Sequence, residues 1–277
     1  MNTSIPCLAF SLLGLTPFLA NASEKPDRQA PPPDTLQLPV FTSGEAKGLT
    51  ALYRAKNFDA RLTADRMLSI QPKEDGKPVG QPFVVRFTCV YVFDQRAVAR
   101  DLVRLKQVPT PTLQPQKLRI SGEYEENVKF QIDYQFSQDA ILIQGSMEEA
   151  AKPKYRSTLQ WVASFPPSHT IPAGTPEPEI QKLTEGCVMK LRMAGGDTRS
   201  VGFWELLTST RDVSSVEVSG PWSHRTILLE APEPKGKGGS SGSLWNYSAG
   251  PVYKGHWAFG RTIAKKATDT PLVIQIK

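Results

Sequence analysis

The sequence predicts a mainly β protein: two antiparallel β-sandwich-like domains with one or two short helices. Three observations carry this. Period-2 alternation of apolar and polar residues recurs along the chain. Strand-like runs are separated by turn signals. One Pro-dense segment divides the folded part in two. One large β-sandwich is the alternative.

The clearest alternation is VKFQIDYQF, 128 to 136. Val128, Phe130, Ile132, Tyr134 and Phe136 point one way, and Lys129, Gln131, Asp133 and Gln135 point the other. Successive side chains of a strand face opposite sides, so this reads as a half-buried strand with one wet face. Ser137-Gln138-Asp139 makes a turn, and AILIQGS returns as the second strand of a hairpin. FVVRFTCVYVF, 83 to 93, is apolar nearly throughout and rich in β-branched and aromatic residues. It reads as a central strand covered on both faces. RMLSI, KLRISGEY and YRSTLQWVASF supply further strands to a domain over 49–165.

Two helices are expected. Asp94 caps QRAVARDLVRL, where Val98, Leu102 and Leu105 share one helical face. SGEAKGLTALYRAKNF has Ser43 as a cap, with Leu49, Leu52 and Tyr53 on one side, although Gly48 weakens it. PPSHTIPAGTPEPE, 166 to 179, is the expected linker, because Pro breaks helices and cannot donate to a strand ladder. A second domain over 180–277 follows, alternating strand and turn through CVMKLRMA, VGFWELL, SVEVSG, RTILLE, LWNYS, VYKGHWAFGRTI and LVIQI.

The first 22 residues carry an apolar run, Leu8 to Leu15, and then Ala20-Asn21-Ala22, which fits the small-residue cleavage pattern of a signal peptide. They contain no Lys or Arg, so the positive n-region rests on the amino terminus alone. Export to a periplasmic or extracellular site is the expectation. Residues 23–48, with Pro31 to Pro33, read as an extended, disordered lead-in. No later apolar run reaches the roughly 20 residues of a membrane span.

The formal net charge of +6 favours acidic partners. The basic residues are dispersed and no recognition motif accompanies them, so nucleic acid is not expected. Cys89 and Cys187 can pair in an oxidising compartment, or they are two separate buried thiols. The three His, at 169, 224 and 256, and the Cys lack metal-ligand spacing, so neither a metal nor another cofactor is expected.

Gly238-Gly239-Ser240-Ser241-Gly242 fits the pattern of a serine-hydrolase elbow. An elbow needs a buried strand before Ser240 and a helix after it. Here APEPKGK precedes and SLWNYS follows, so a flexible loop is the better reading. Beyond the loop, Trp245, Tyr247, Tyr253, Trp257 and Phe259 all fall at odd positions. LWNYS and VYKGHWAFG therefore read as a hairpin with its aromatics on one face. That face is either core or a platform for sugar rings, with Asn246, Lys254 and His256 as hydrogen-bonding neighbours. Glu123, Glu125, Glu126, Glu148 and Glu149 cluster in sequence. A carboxylate pair at the right separation performs glycoside hydrolysis; solvated turns are the commoner outcome.

These features favour a non-catalytic binding or envelope-associated module, with a polysaccharide or an envelope protein as ligand. Two alternatives stand beside it: an exported hydrolase using Ser240 or a carboxylate pair, and a structural assembly partner in a cell envelope.

Overall fold

The structure is a computed structural model. It describes residues 36–37, 49–63, 67–92, 105–106, 110–152, 156–165, 175–205, 209–221, 224–231, 242–246, 257–263 and 271–277. These belong to one compact unit, Pro32–Lys277. The expected signal peptide, nearly all of the expected lead-in, most of the helix expected after Asp94, and Ser240 lie outside the described residues.

In chain order the strands are β1 (Leu36–Gln37), β2 (Leu49–Arg54), β3 (Phe58–Thr63), β4 (Met67–Glu74), β5 (Lys77–Pro78), β6 (Phe83–Val92), β7 (Thr110–Gln114), β8 (Lys117–Tyr124), β9 (Val128–Phe136), β10 (Ala140–Glu148) and β11 (Arg156–Ser164). After helix α1 (Glu177–Leu183) come β12 (Val188–Met193), β13 (Thr198–Gly202), β14 (Ser209–Ser219), β15 (Ile227–Glu230), β16 (Gly242–Trp245), β17 (Ala258–Ile263) and β18 (Leu272–Ile276). Every described pairing is antiparallel, so the mainly β expectation holds.

The strands do not form two domains. One run of neighbours is β1-β2-β3-β4-β6-β11-β17-β16, and a second is β7-β8-β9-β10-β18-β15. Each run mixes strands from both sides of the Pro-dense segment. Strand β14 joins the runs: Ser209 and Thr210 pair with β16, while Ser215 to Val218 pair with β15. The register shifts between Thr210 and Val213, and Asp212 sits at φ 61, as at a bulge that bends a strand from one layer towards another. One large antiparallel sheet thus folds over on itself, which corrects the two-sandwich expectation. Dense Pro marked a connection, but local composition carries no information about which distant strands pair.

The two runs pack face to face through aromatic side chains. Tyr53 of β2 stacks on Phe136 of β9 with ring centroids 4.8 Å apart, and Phe87 of β6 meets Tyr134 of β9 edge-on at 6.0 Å. All four are buried. Such pairs add about 0.5–1.5 kcal/mol beyond the area they bury.

The local expectations fared unevenly. β9 and β10 form the predicted hairpin, with Phe136 opposite Ile141 and the Ser137 N–H donating to the Ala140 carbonyl at 2.9 Å. β6 is the predicted central strand, flanked by β4 and β11. The second expected helix is instead β2 and β3, with Ala51, Leu52 and Tyr53 all buried. Burial of consecutive residues on both sides of the chain suits a covered strand, and pairing outweighs weak helix propensity. Conversely, the expected linker contains the start of α1. Pro178 lies in its first turn, where no N–H partner is lost, Glu177 and Glu179 face its N-terminus, and Lys182 lies in its last turn.

No disulfide joins Cys89 and Cys187, which are both buried. That is the outcome expected of small apolar thiols in a core.

Candidate functional site

The outer face of β8, β9 and β10 is built by strict alternation. On β8 the chain buries Leu118, Ile120 and Tyr124 and leaves Lys117, Arg119 and Ser121 exposed. On β9, Lys129 and Gln135 are exposed and Gln131 and Asp133 half-buried, while every intervening residue is buried. On β10, Gln144 and Glu148 are exposed. Register then aligns these residues into cross-strand rows: Arg119–Asp133–Gln144, Ser121–Gln131–Ser146 and Glu123–Lys129–Glu148. Residues of one row stand about 5 Å apart, close enough for direct contact.

Two cavities open on this face. A cavity of about 1140 Å³ is lined by the Ser121 and Glu123 rows together with Glu149 and Arg156. A second, of about 480 Å³, lies over the Arg119 row, with Thr112, Gln114, Lys117 and Gln135 around it. The linings are consecutive rows of the same three strands, and this face with its two cavities is termed the trough.

Its side chains hold one another in place. Arg119 Nε and Nη2 donate to the two carboxylate oxygens of Asp133 at 2.6 and 3.2 Å, and Gln131 Nε2 donates to Asp133 Oδ2 at 2.9 Å. This bidentate pair raises the Arg119 pKa above its ordinary value, through the hydrogen bond first and charge attraction second. Lys106 Nζ donates to Glu123 Oε1 at 2.9 Å. Glu149 accepts the backbone N–H of Ser157. The trough therefore offers fixed carboxylate acceptors, amide groups and hydroxyls, the set that recognises a polyhydroxylated ligand. No group of metal-binding side chains occurs among the described residues.

The residues singled out from the sequence lie elsewhere. Trp257 is fully buried, and its indole N–H donates to the Phe203 carbonyl at 2.7 Å. Phe259 is also fully buried and packs edge-on against Trp161 at 5.4 Å. Trp245 is half-buried on the opposite side of the sheet, because β16 pairs with β17 as Trp245 opposite Ala258 and Leu244 opposite Phe259. Antiparallel partners share a face, so an odd residue opposite an even one throws the odd-numbered aromatics onto both faces. The single-faced aromatic hairpin is thus corrected, and Trp257 and Phe259 are core. Asn246 is buried as well, with Nδ2 donating to the Glu205 carbonyl at 3.0 Å. Tyr247, Tyr253, Lys254 and His256 lie outside the described residues.

Of the acidic cluster, Glu123, Glu148 and Glu149 do meet at the trough. The signal for this site was present in VKFQIDYQF, whose wet face supplies the middle of every row. What the sequence lacked was the register that sets β8 and β10 beside it.

No family model matches the sequence, and no curated protein is similar to it. Solved structures do resemble the fold. A candidate aldose 1-epimerase from Escherichia coli aligns with a TM-score of 0.53 at 7% identity, covering 82% of this chain and 98% of its own. A galactose mutarotase-like protein from Lactobacillus casei aligns at 0.47 and 9% identity, covering 82% and 99%. A galactose mutarotase related enzyme from Lactobacillus acidophilus aligns at 0.43 and 7%, covering 82% and 96%. At these identities the likeness concerns the fold. The fold is like that of the candidate aldose 1-epimerase, which corrects the expectation of a non-catalytic binding or envelope-associated module and of its hydrolase and assembly-partner alternatives.

Proposed function

We propose that the protein binds a sugar in the polar trough of β8, β9 and β10 and interconverts its anomers. The observation that carries this reading is the trough itself, cavities lined by carboxylates, amides and hydroxyls on a fold like that of a candidate aldose 1-epimerase.

Interconverting anomers needs a base and an acid. The base takes the proton of the anomeric hydroxyl while the acid gives one to the ring oxygen. The bond between the anomeric carbon and the ring oxygen breaks, the aldehyde rotates, and the steps reverse. The Glu123–Lys129–Glu148 row holds groups for both tasks: Glu148 as the base, and the Lys129 ammonium, one strand away, as the donor to the ring oxygen. Glu123, held by Lys106, accepts from a neighbouring hydroxyl. Asp133, fixed by Arg119 and Gln131, accepts from a more distant one.

The test is anomer exchange of galactose and of glucose, followed by NMR exchange spectroscopy with purified protein. Exchange should accelerate in proportion to protein. Glu148→Gln should slow it by about 10²-fold or more, the usual share of general acid–base catalysis. Neither binding nor acceleration with any aldose would overturn the proposal.

A further inference from the structure

The trough is larger than one sugar ring needs, and this sets the size and charge of its ligand. Drug-sized ligands fill pockets of about 300–1,000 Å³. The larger cavity alone is about 1140 Å³, and the second, of about 480 Å³, is lined by neighbouring rows of the same strands. From the Glu123 row to the row of Lys117 and Gln135 the face runs six residues along β8, roughly 20 Å at the rise of an antiparallel strand.

Charge gives the second half of the argument. The chain is basic overall, yet the excess is not gathered here. Lys117, Arg119, Lys129 and Arg156 line the two cavities beside Glu123, Asp133, Glu148 and Glu149, four cations against four carboxylates. An anionic glycan would need an excess of cations along its path. The row between the charged ones carries Ser121, Gln131 and Ser146, and Gln144 and Gln135 stand within charged rows, all neutral groups that both donate and accept.

From these observations we infer that the ligand is a neutral oligosaccharide, longer than a single sugar. It lies along β8 and β9 with its reducing end at the Glu123–Lys129–Glu148 row. This rests on the proposed function and adds a substrate class to it.

The experiment titrates the protein with neutral mono-, di-, tri- and tetrasaccharides of the gluco, galacto and manno series, and with oligogalacturonates of the same lengths. Calorimetry gives affinities, and NMR gives anomer exchange at the reducing end. Affinity should rise at least tenfold from monosaccharide to tetrasaccharide in one neutral series. Asp133→Ala, checked for an unchanged melting temperature, should remove most of that gain. Equal affinity at all lengths, with monosaccharide exchange intact, overturns this inference and leaves the proposed function standing. Tighter binding of the oligogalacturonates overturns the assignment of a neutral ligand. Neither binding nor exchange in any series overturns the proposed function itself.

Discussion

Trp257 has no exposed surface and gives its indole N–H to a backbone carbonyl. Gln131, Asp133 and Gln144 keep polar surface in water and line a cavity. The first directly precedes β17, whose Phe259 is also buried, and the second group belongs to the amphipathic strands β9 and β10. Aromatic density in this chain is therefore a packing signal, while the site is written in the polar half of an alternating pattern. The physical reason is the closure of one sheet on itself. Folding two layers together demands large rings between them, and it leaves the outer face of a curved layer free to hold a ligand.

That contrast breaks most sharply at the core. Trp257→Ala should cost about 3–5 kcal/mol, from lost transfer free energy and the cavity left behind. In a unit of this size each kcal/mol lowers the melting temperature by about 2–4 °C. A fall near 10 °C is expected by scanning calorimetry, and a shift under about 2 °C would remove Trp257 from the core. Next in size is the buried ion pair of Lys73 and Asp59, 2.7 Å apart with side chains only 10% and 13% exposed. Asp59→Ala strands the ammonium and should cost about 3 kcal/mol by urea denaturation. Gly260→Ala should cost about 1–3 kcal/mol in the same assay. A Cβ there would stand 2.6 Å from Trp245 Cη2 and 2.9 Å from the Trp161 carbonyl oxygen.

The trough should behave differently. Arg119 and Asp133 are 55% and 35% exposed, and a pair so placed contributes under about 1 kcal/mol to stability. Asp133→Ala should therefore leave the denaturation midpoint nearly unchanged while weakening sugar binding. A large loss of stability would make the pair structural. The smallest expected effect is that of a reductant: with no bond between Cys89 and Cys187, dithiothreitol should not move the melting temperature.

Much of this was legible in the sequence, for reasons that also explain what was not. The β9–β10 hairpin was readable because a short turn fixes its register, and its alternation is complete from Val128 to Phe136. The covered strand β6 was readable from its unbroken apolar run. The pairing of β6 with β11, β11 with β17 and β10 with β18 was not, because nothing local records long-range partners. The same gap hid the site. Glu123 and Glu148 are separated in sequence and come within two strands of one another only through β9. The aromatic hairpin was misread at a single step, a register that sets Trp245 opposite Ala258.

The central claim is that the polar trough, and not the aromatic strands, holds the sugar. Hydrogen exchange with and without the tightest-binding oligosaccharide of the titration series tests it directly. The account predicts ligand-dependent protection in peptides covering 117–148 and none in peptides covering 242–263. Protection confined to 242–263, with 117–148 unchanged, would contradict it.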